Sequence, residues 1–114
     1  MNLSEFELYV LDALIKGELE EELIRSQLNG ATVTKRDYTG VGLYTDIKAN
    51  PNCRTLSKSN WYIEETPKIH LEHPELEAGA GALLWLKYGY ISTLECYTYD
   101  GDWPKDESLF VINE

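Results

Sequence analysis

Leu83-Leu84-Trp85-Leu86-Lys87-Tyr88-Gly89-Tyr90-Ile91-Ser92-Thr93-Leu94 is the stretch that decides how this chain folds. Two apolar runs of strand-favouring residues meet at one glycine, the residue that takes a positive φ without steric penalty, so the stretch reads as a β-hairpin. Outward from it the same character continues. Strands are expected over 82–88 and 90–99, and further ones over 31–38, 41–47, 67–71 and 109–112. Each is a run of β-branched, aromatic or aliphatic residues bounded by turn-forming ones. Residues 48–60 are polar, with Pro51 between Asn50 and Asn52, and read as a long loop of the kind that often carries function.

The first 28 residues follow a different period. Ser4 and Glu7 have the spacing of a capping box, and Phe6, Tyr9, Val10, Ala13 and Leu14 fall on one helical face. Gly17 interrupts. Leu19, Leu23, Ile24 and Leu28 then resume helical spacing until Asn29-Gly30 supplies a left-handed stop. Glu18 and Glu20 to Glu22 would sit in the first turn of this second helix, where the macrodipole favours negative charge. Helices first and strands afterwards predict an α+β fold: two N-terminal helices packed on one face of an antiparallel sheet of about five or six strands.

With 114 residues, the chain is expected to form a single domain over 1–114. Hydrophobic residues at 43% and charged residues at 26% are the proportions of a globular protein and not of a disordered one. The formal net charge of −10 argues against nucleic acid or an anionic membrane as partner and leaves a basic protein open. That charge is unevenly spread. Residues 31–60 carry a local excess of bases, Lys35, Arg36, Lys48, Arg54 and Lys58, which are expected to pair with the protein's own acids. Two cysteines, Cys53 and Cys96, are too few for a disulfide framework and are expected as free thiols. The first residues have no basic segment leading into an apolar one, and the apolar run over 78–86 is about half the ~20 residues of a membrane span. A cytoplasmic location, with no membrane association, is the expectation.

Catalytic motifs are not evident. Gly40-Val41-Gly42 and Gly79-Ala80-Gly81 lack the third glycine of a dinucleotide fingerprint, having Thr45 and Leu84 there. Within strands, such glycines leave a strip of one face bare for an aromatic ring, another backbone or a small ligand. His70-Leu71-Glu72-His73-Pro74-Glu75 gathers imidazoles and carboxylates, but no second cluster converges on it and Pro74 forbids the helix on which such zinc sites are built. No metal and no cofactor are expected. Glu95, in the second hairpin arm, must face solvent or find a partner such as Arg36 or Arg54. Asp100-Gly101-Asp102-Trp103-Pro104 is an acidic turn whose Trp103 either folds back on the core or joins the acids in meeting a basic ligand. Tyr38 and Tyr44 flank the first glycine pair, and Tyr97 and Tyr99 lead into the acidic turn. Tyrosine combines contact area with a hydroxyl, as binding surfaces require. The candidate binding residues are therefore Arg36, Tyr38, Tyr44, Glu95, Tyr97, Tyr99, Asp100, Asp102 and Trp103.

Residues 39–45, 79–85, 88–91 and 94–99 with Trp103-Pro104, together with the helix over 19–28, resemble a family of small uncharacterised bacterial proteins. The resemblance implies two helices followed by an antiparallel sheet and brings no catalytic residues. Some small acidic bacterial proteins of this type act as immunity partners of toxins. The leading expectation is a non-enzymatic acidic binding protein, in its narrower form an immunity protein neutralising a basic toxin domain. A small-ligand or enzymatic domain, with a pocket between the glycine strips and the loop over 48–60 and with Arg36, Glu95 or His70 as anchors, is the alternative. A structural protein that oligomerises through a sheet edge is the third reading.

Overall fold

A computed structural model describes residues 1–112. Helix α1 (Glu5–Ile15) begins where its sequence says it should. The Ser4 hydroxyl accepts the Glu7 N–H at 3.1 Å and the Glu7 carboxylate accepts the Ser4 N–H at 2.7 Å, closing the capping box. Its buried face comprises Phe6, Glu7, Val10, Leu11, Leu14 and Ile15. Tyr9, expected on that face, lies at its rim and is exposed, with its hydroxyl accepting the Ile112 N–H at 3.0 Å. Helix α2 (Glu21–Leu28) is shorter than its pattern suggested, because the chain turns at Gly17 with φ +84° and leaves Leu19 fully exposed. Glu21 holds that turn by accepting the Gly17 N–H at 2.7 Å, and it also pairs with Arg25.

The strands are β1 (Thr32–Tyr38), β2 (Gly42–Lys48), β3 (Lys68–His73), β4 (Leu76–Lys87), β5 (Tyr90–Thr98) and the short β6 (Val111–Ile112). They form one six-stranded sheet in the order β1-β2-β5-β4-β3-β6, with every pair antiparallel. This is the α+β architecture expected, with both helices on one sheet face. Strand β4 starts at Leu76, ahead of the expected 82, because pairing with β3 draws the weakly strand-forming Ala78–Gly81 segment into the ladder. A turn at Tyr88 (φ 54°) and Gly89 (φ 82°) joins β4 to β5, both residues having the positive φ that a tight hairpin needs.

The register of that hairpin contains the key irregularity. Lys87 faces Tyr90 and Leu86 faces Ile91, but Trp85 then faces Thr93, so Ser92 is an extra residue on β5. The Ser92 hydroxyl donates to the Trp85 carbonyl at 3.2 Å. The bulge lets Ile91 and Leu94, three positions apart, both point at the helices. Beyond it, Leu84 and Leu94 face inward together, while Leu83, Trp85, Thr93 and Glu95 all lie on the opposite face.

Between β2 and β3 the long loop crosses to the far side of β4. It is anchored on the hairpin turn, where Leu56 N–H donates to the Gly89 carbonyl at 2.9 Å and Gly89 N–H donates to the Ser59 carbonyl at 2.8 Å. Gln27 of α2 seals this corner: its side-chain amide donates to the Arg54 and Gly89 carbonyls and accepts the Ile91 N–H, all while fully buried. The core lies between the helices and the inward residues of β2, β4 and β5, with Phe6, Trp103 and Phe110 closing one end in mutual ring contact. Both cysteines are free thiols. No helix among the described residues is long and apolar enough to cross a membrane.

Candidate functional site

Because side chains alternate along a strand and cross-strand partners share a face, the register assigns every outward residue. On the face away from the helices, one row runs Gly42, Tyr97, Gly81, His70, and the next runs Asp37, Tyr44, Glu95, Leu83, Lys68. A third row places Lys35, Asp46, Thr93 and Trp85 side by side. Tyr99 lies beyond Tyr97 at the end of β5. No helix covers this face, and Tyr44 and Tyr99 are 42% and 50% exposed on it.

Glu95 is at its centre. One carboxylate oxygen accepts the Trp85 indole N–H at 3.0 Å and the other accepts the Tyr44 hydroxyl at 3.4 Å. The expectation of Arg36 or Arg54 as partner is not met: none of the ion pairs among the described residues includes Glu95. Its negative charge, followed by partial desolvation, pushes the Tyr44 phenol above its ordinary range. Tyr97 is likewise raised, first by burial and then by its neighbours Tyr99 and Glu95.

The glycine strip explains the ring arrangement. A Cβ on Gly81 would fall 2.7 Å from the Tyr97 hydroxyl and 2.9 Å from that of Tyr99, so both rings lie over bare backbone. Tyr97 meets Tyr99 edge to face at 5.7 Å, and His70 stacks on Tyr99 at 5.6 Å with 9° between the planes. At Gly42 and Gly79 the equivalent space holds the Cys96 and Leu71 carbonyls. At these three glycines the strips are occupied by the chain's own rings and backbone, while nothing lies within 4 Å of a Cβ placed on Gly40. A separate hollow of about 180 Å³ lies between Leu19, Glu20 and Trp61. A larger one, of about 400 Å³, lies between the start of the long loop at Ala49 and Pro51 and the hairpin at Tyr88 and Tyr90, within the ~300–1,000 Å³ of ordinary small-molecule sites.

Of the nine candidate residues, Tyr44, Glu95, Tyr97 and Tyr99 come together on the open face. Asp100 and Asp102 are exposed on the turn that follows β5. Three others go elsewhere. Arg36 points inward and grips the fully buried Glu7 carboxylate at 2.7 and 2.8 Å, with the Thr45 hydroxyl donating to the same group at 2.6 Å. Tyr38 reaches toward Glu107, with its hydroxyl 3.3 Å from the nearer oxygen. Trp103 folds back against Phe6 and Phe110 and donates its indole N–H to Glu107 at 2.9 Å. Trp85 and Leu83 were not anticipated on this surface. Their signal was the regular alternation of β4, which puts Ala82, Leu84 and Leu86 in the core and Leu83 and Trp85 on the other face.

The two histidines diverge. His70 is on the open face beside Glu72, at 2.6 Å, while His73 is buried against Phe110 and contacts the Asp106 carbonyl at 2.9 Å. Among the described residues no group of three or more His, Cys, Asp or Glu converges to hold a metal ion. Comparison with known proteins gives no match to a family model, a curated protein or a solved structure. Nothing in it bears on the resemblance drawn from the glycine and tyrosine motifs.

Proposed function

We propose that this chain is a non-enzymatic acidic binding protein that receives a basic polypeptide on its helix-free sheet face, and that toxin neutralisation is the narrower form of that role. The observation that carries the reading is Glu95, a carboxylate set among Tyr44, Trp85 and Tyr97 that is in none of the ion pairs among the described residues. Aromatic rings that combine contact area with polar tips are the residues from which binding hot spots are made. Asp37, Asp46 and Glu72 share the face with Lys35 and Lys68, and Asp100 and Asp102 at its end tip its charge to negative, which would steer a cationic partner.

Immunity is tested by co-expressing the chain with a basic toxin domain encoded beside its gene. Restored growth, lost in a Tyr97→Ala/Tyr99→Ala variant that still folds, supports the role. A neighbourhood without such a toxin, or rescue unaffected by loss of both tyrosines, overturns the immunity form. In the same preparation binding should weaken sharply between low and moderate salt, as charge-steered association does.

A further inference from the structure

Resting on the docking reading above, we infer that Glu95 is the seat of one arginine side chain of the partner, and that this position distinguishes arginine from lysine. The argument is geometric. A carboxylate has about four acceptor positions, two on each oxygen. Trp85 takes one on the first oxygen and Tyr44 takes one on the second. One acceptor position on each oxygen is left, as many as the two N–H groups of a guanidinium fork require.

The surroundings suit the same group. Tyr44 is directly opposite Glu95 on β2, Leu83 is opposite on β4, and Tyr97 is the next outward residue along β5. With Leu83 itself buried, the accessible rim is the Tyr44 and Tyr97 rings and the Trp85 indole, flat surface on which a planar guanidinium stacks better than a compact, strongly hydrated ammonium. Of the cations nearest in the sheet, Arg36 is committed to Glu7 and Lys68 to the Ile63 carbonyl at 2.5 Å. Lys35 stands opposite Asp46 in the sheet. Held by two hydrogen bonds at the centre of an aromatic rim, the carboxylate is oriented before any partner arrives, which lowers the ordering needed on binding.

The experiment titrates the whole protein with deca-arginine and deca-lysine peptides at low salt, following amide, tyrosine and indole N–H resonances by NMR. Deca-arginine is expected to bind about tenfold tighter than deca-lysine. The Trp85 indole N–H should move with it, while those of Trp61 and Trp103 stay in place. Glu95→Gln should abolish the preference; Glu22→Gln, an equal loss of charge on exposed α2, should retain it. If Glu95→Gln does not fold, the Trp85 resonance of the unaltered protein decides: no shift with deca-arginine overturns the anchor. Equal binding of the two peptides to the open face, or a preference that survives Glu95→Gln, overturns the arginine seat and leaves face docking standing. Failure of both peptides to perturb Tyr44, Tyr97 and Tyr99 removes the docking reading itself, and the anchor with it.

Discussion

At the scale of single residues, the most consequential group is the Glu7 carboxylate, which serves two structures at once. It completes the helix cap and, fully buried, ties α1 to β1 and β2 through Arg36 and Thr45. Burial alone would raise its pKa, but the hydrogen bonds from Arg36, Ser4 and Thr45, with the charge of Arg36, outweigh burial and hold it below its ordinary 4.5. The folded value is thus below the unfolded one, so the ionised form stabilises the fold fully above about pH 4.5 and less as pH falls through the lowered folded value. Arg36→Ala leaves that carboxylate buried without its cation and is expected to cost about 3 kcal/mol at neutral pH. The deficit should shrink as the pH falls through the parent's lowered folded value, below which the carboxyl is protonated in variant and parent alike. Urea unfolding at neutral and acid pH measures both. Sequence reading singled out Arg36 as a binding residue because its charge and its neighbourhood of tyrosines were visible, whereas its partner, 29 positions earlier, was not.

At the scale of elements, the β4–β5 hairpin was legible from its two apolar runs, and its turn from Gly89. Tyr88 is the less obvious member, a non-glycine residue at φ 54° and 76% exposed. Replacing it with Asn, which tolerates the left-handed region better, should stabilise the protein by about 0.5 kcal/mol. Gly89→Ala should do the opposite, losing about 1–2 kcal/mol, because φ is +82° and the added Cβ would fall 2.6 Å from that of Thr55. Thermal melts of the two variants check the contrast, and equal shifts in one direction would contradict the turn geometry. Helix α2 teaches a different lesson. Its apolar pattern pointed to Leu19, Leu23, Ile24 and Leu28; Ile24 is buried and Leu23 and Leu28 pack against the core, but Leu19 is exposed and Gln27, outside the pattern, is buried. A polar side chain belongs in the core when three backbone groups of distant segments need it, and the pattern of apolar spacing carries no trace of that need.

At the scale of the whole molecule, one sheet face is covered by helices and the other is left open, and this asymmetry separates the core from the binding surface. The long edge of the sheet is β1, with the charged Lys35 and Arg36 at its middle and a register shift between Val33 and Lys35. Antiparallel pairing of two such edges would bring like charges face to face, the device by which natural sheets resist edge association. The protein should therefore run as a 13.1 kDa monomer in light scattering, and Lys35→Val should increase self-association at high concentration. A dimer of the unaltered chain that Lys35→Val leaves unchanged would count against edge protection by charge.

Taken alone, the sequence determined the order of elements, the cap at Ser4, the hairpin at Gly89 and the antiparallel class of the sheet. These depend on local spacing and on turn chemistry confined to a few neighbouring residues. Tertiary structure alone decided which face each strand residue occupies, because the extra residue at Ser92 shifts the alternation of β5 between Ile91 and Leu94 and so brings Thr93 and Glu95 onto the face that Leu83 and Trp85 share. It also decided that Arg36 and Trp103 belong to the interior while Glu95 is in none of the ion pairs among the described residues. Pairings between residues far apart in sequence arise when the sheet closes, and no local pattern encodes them.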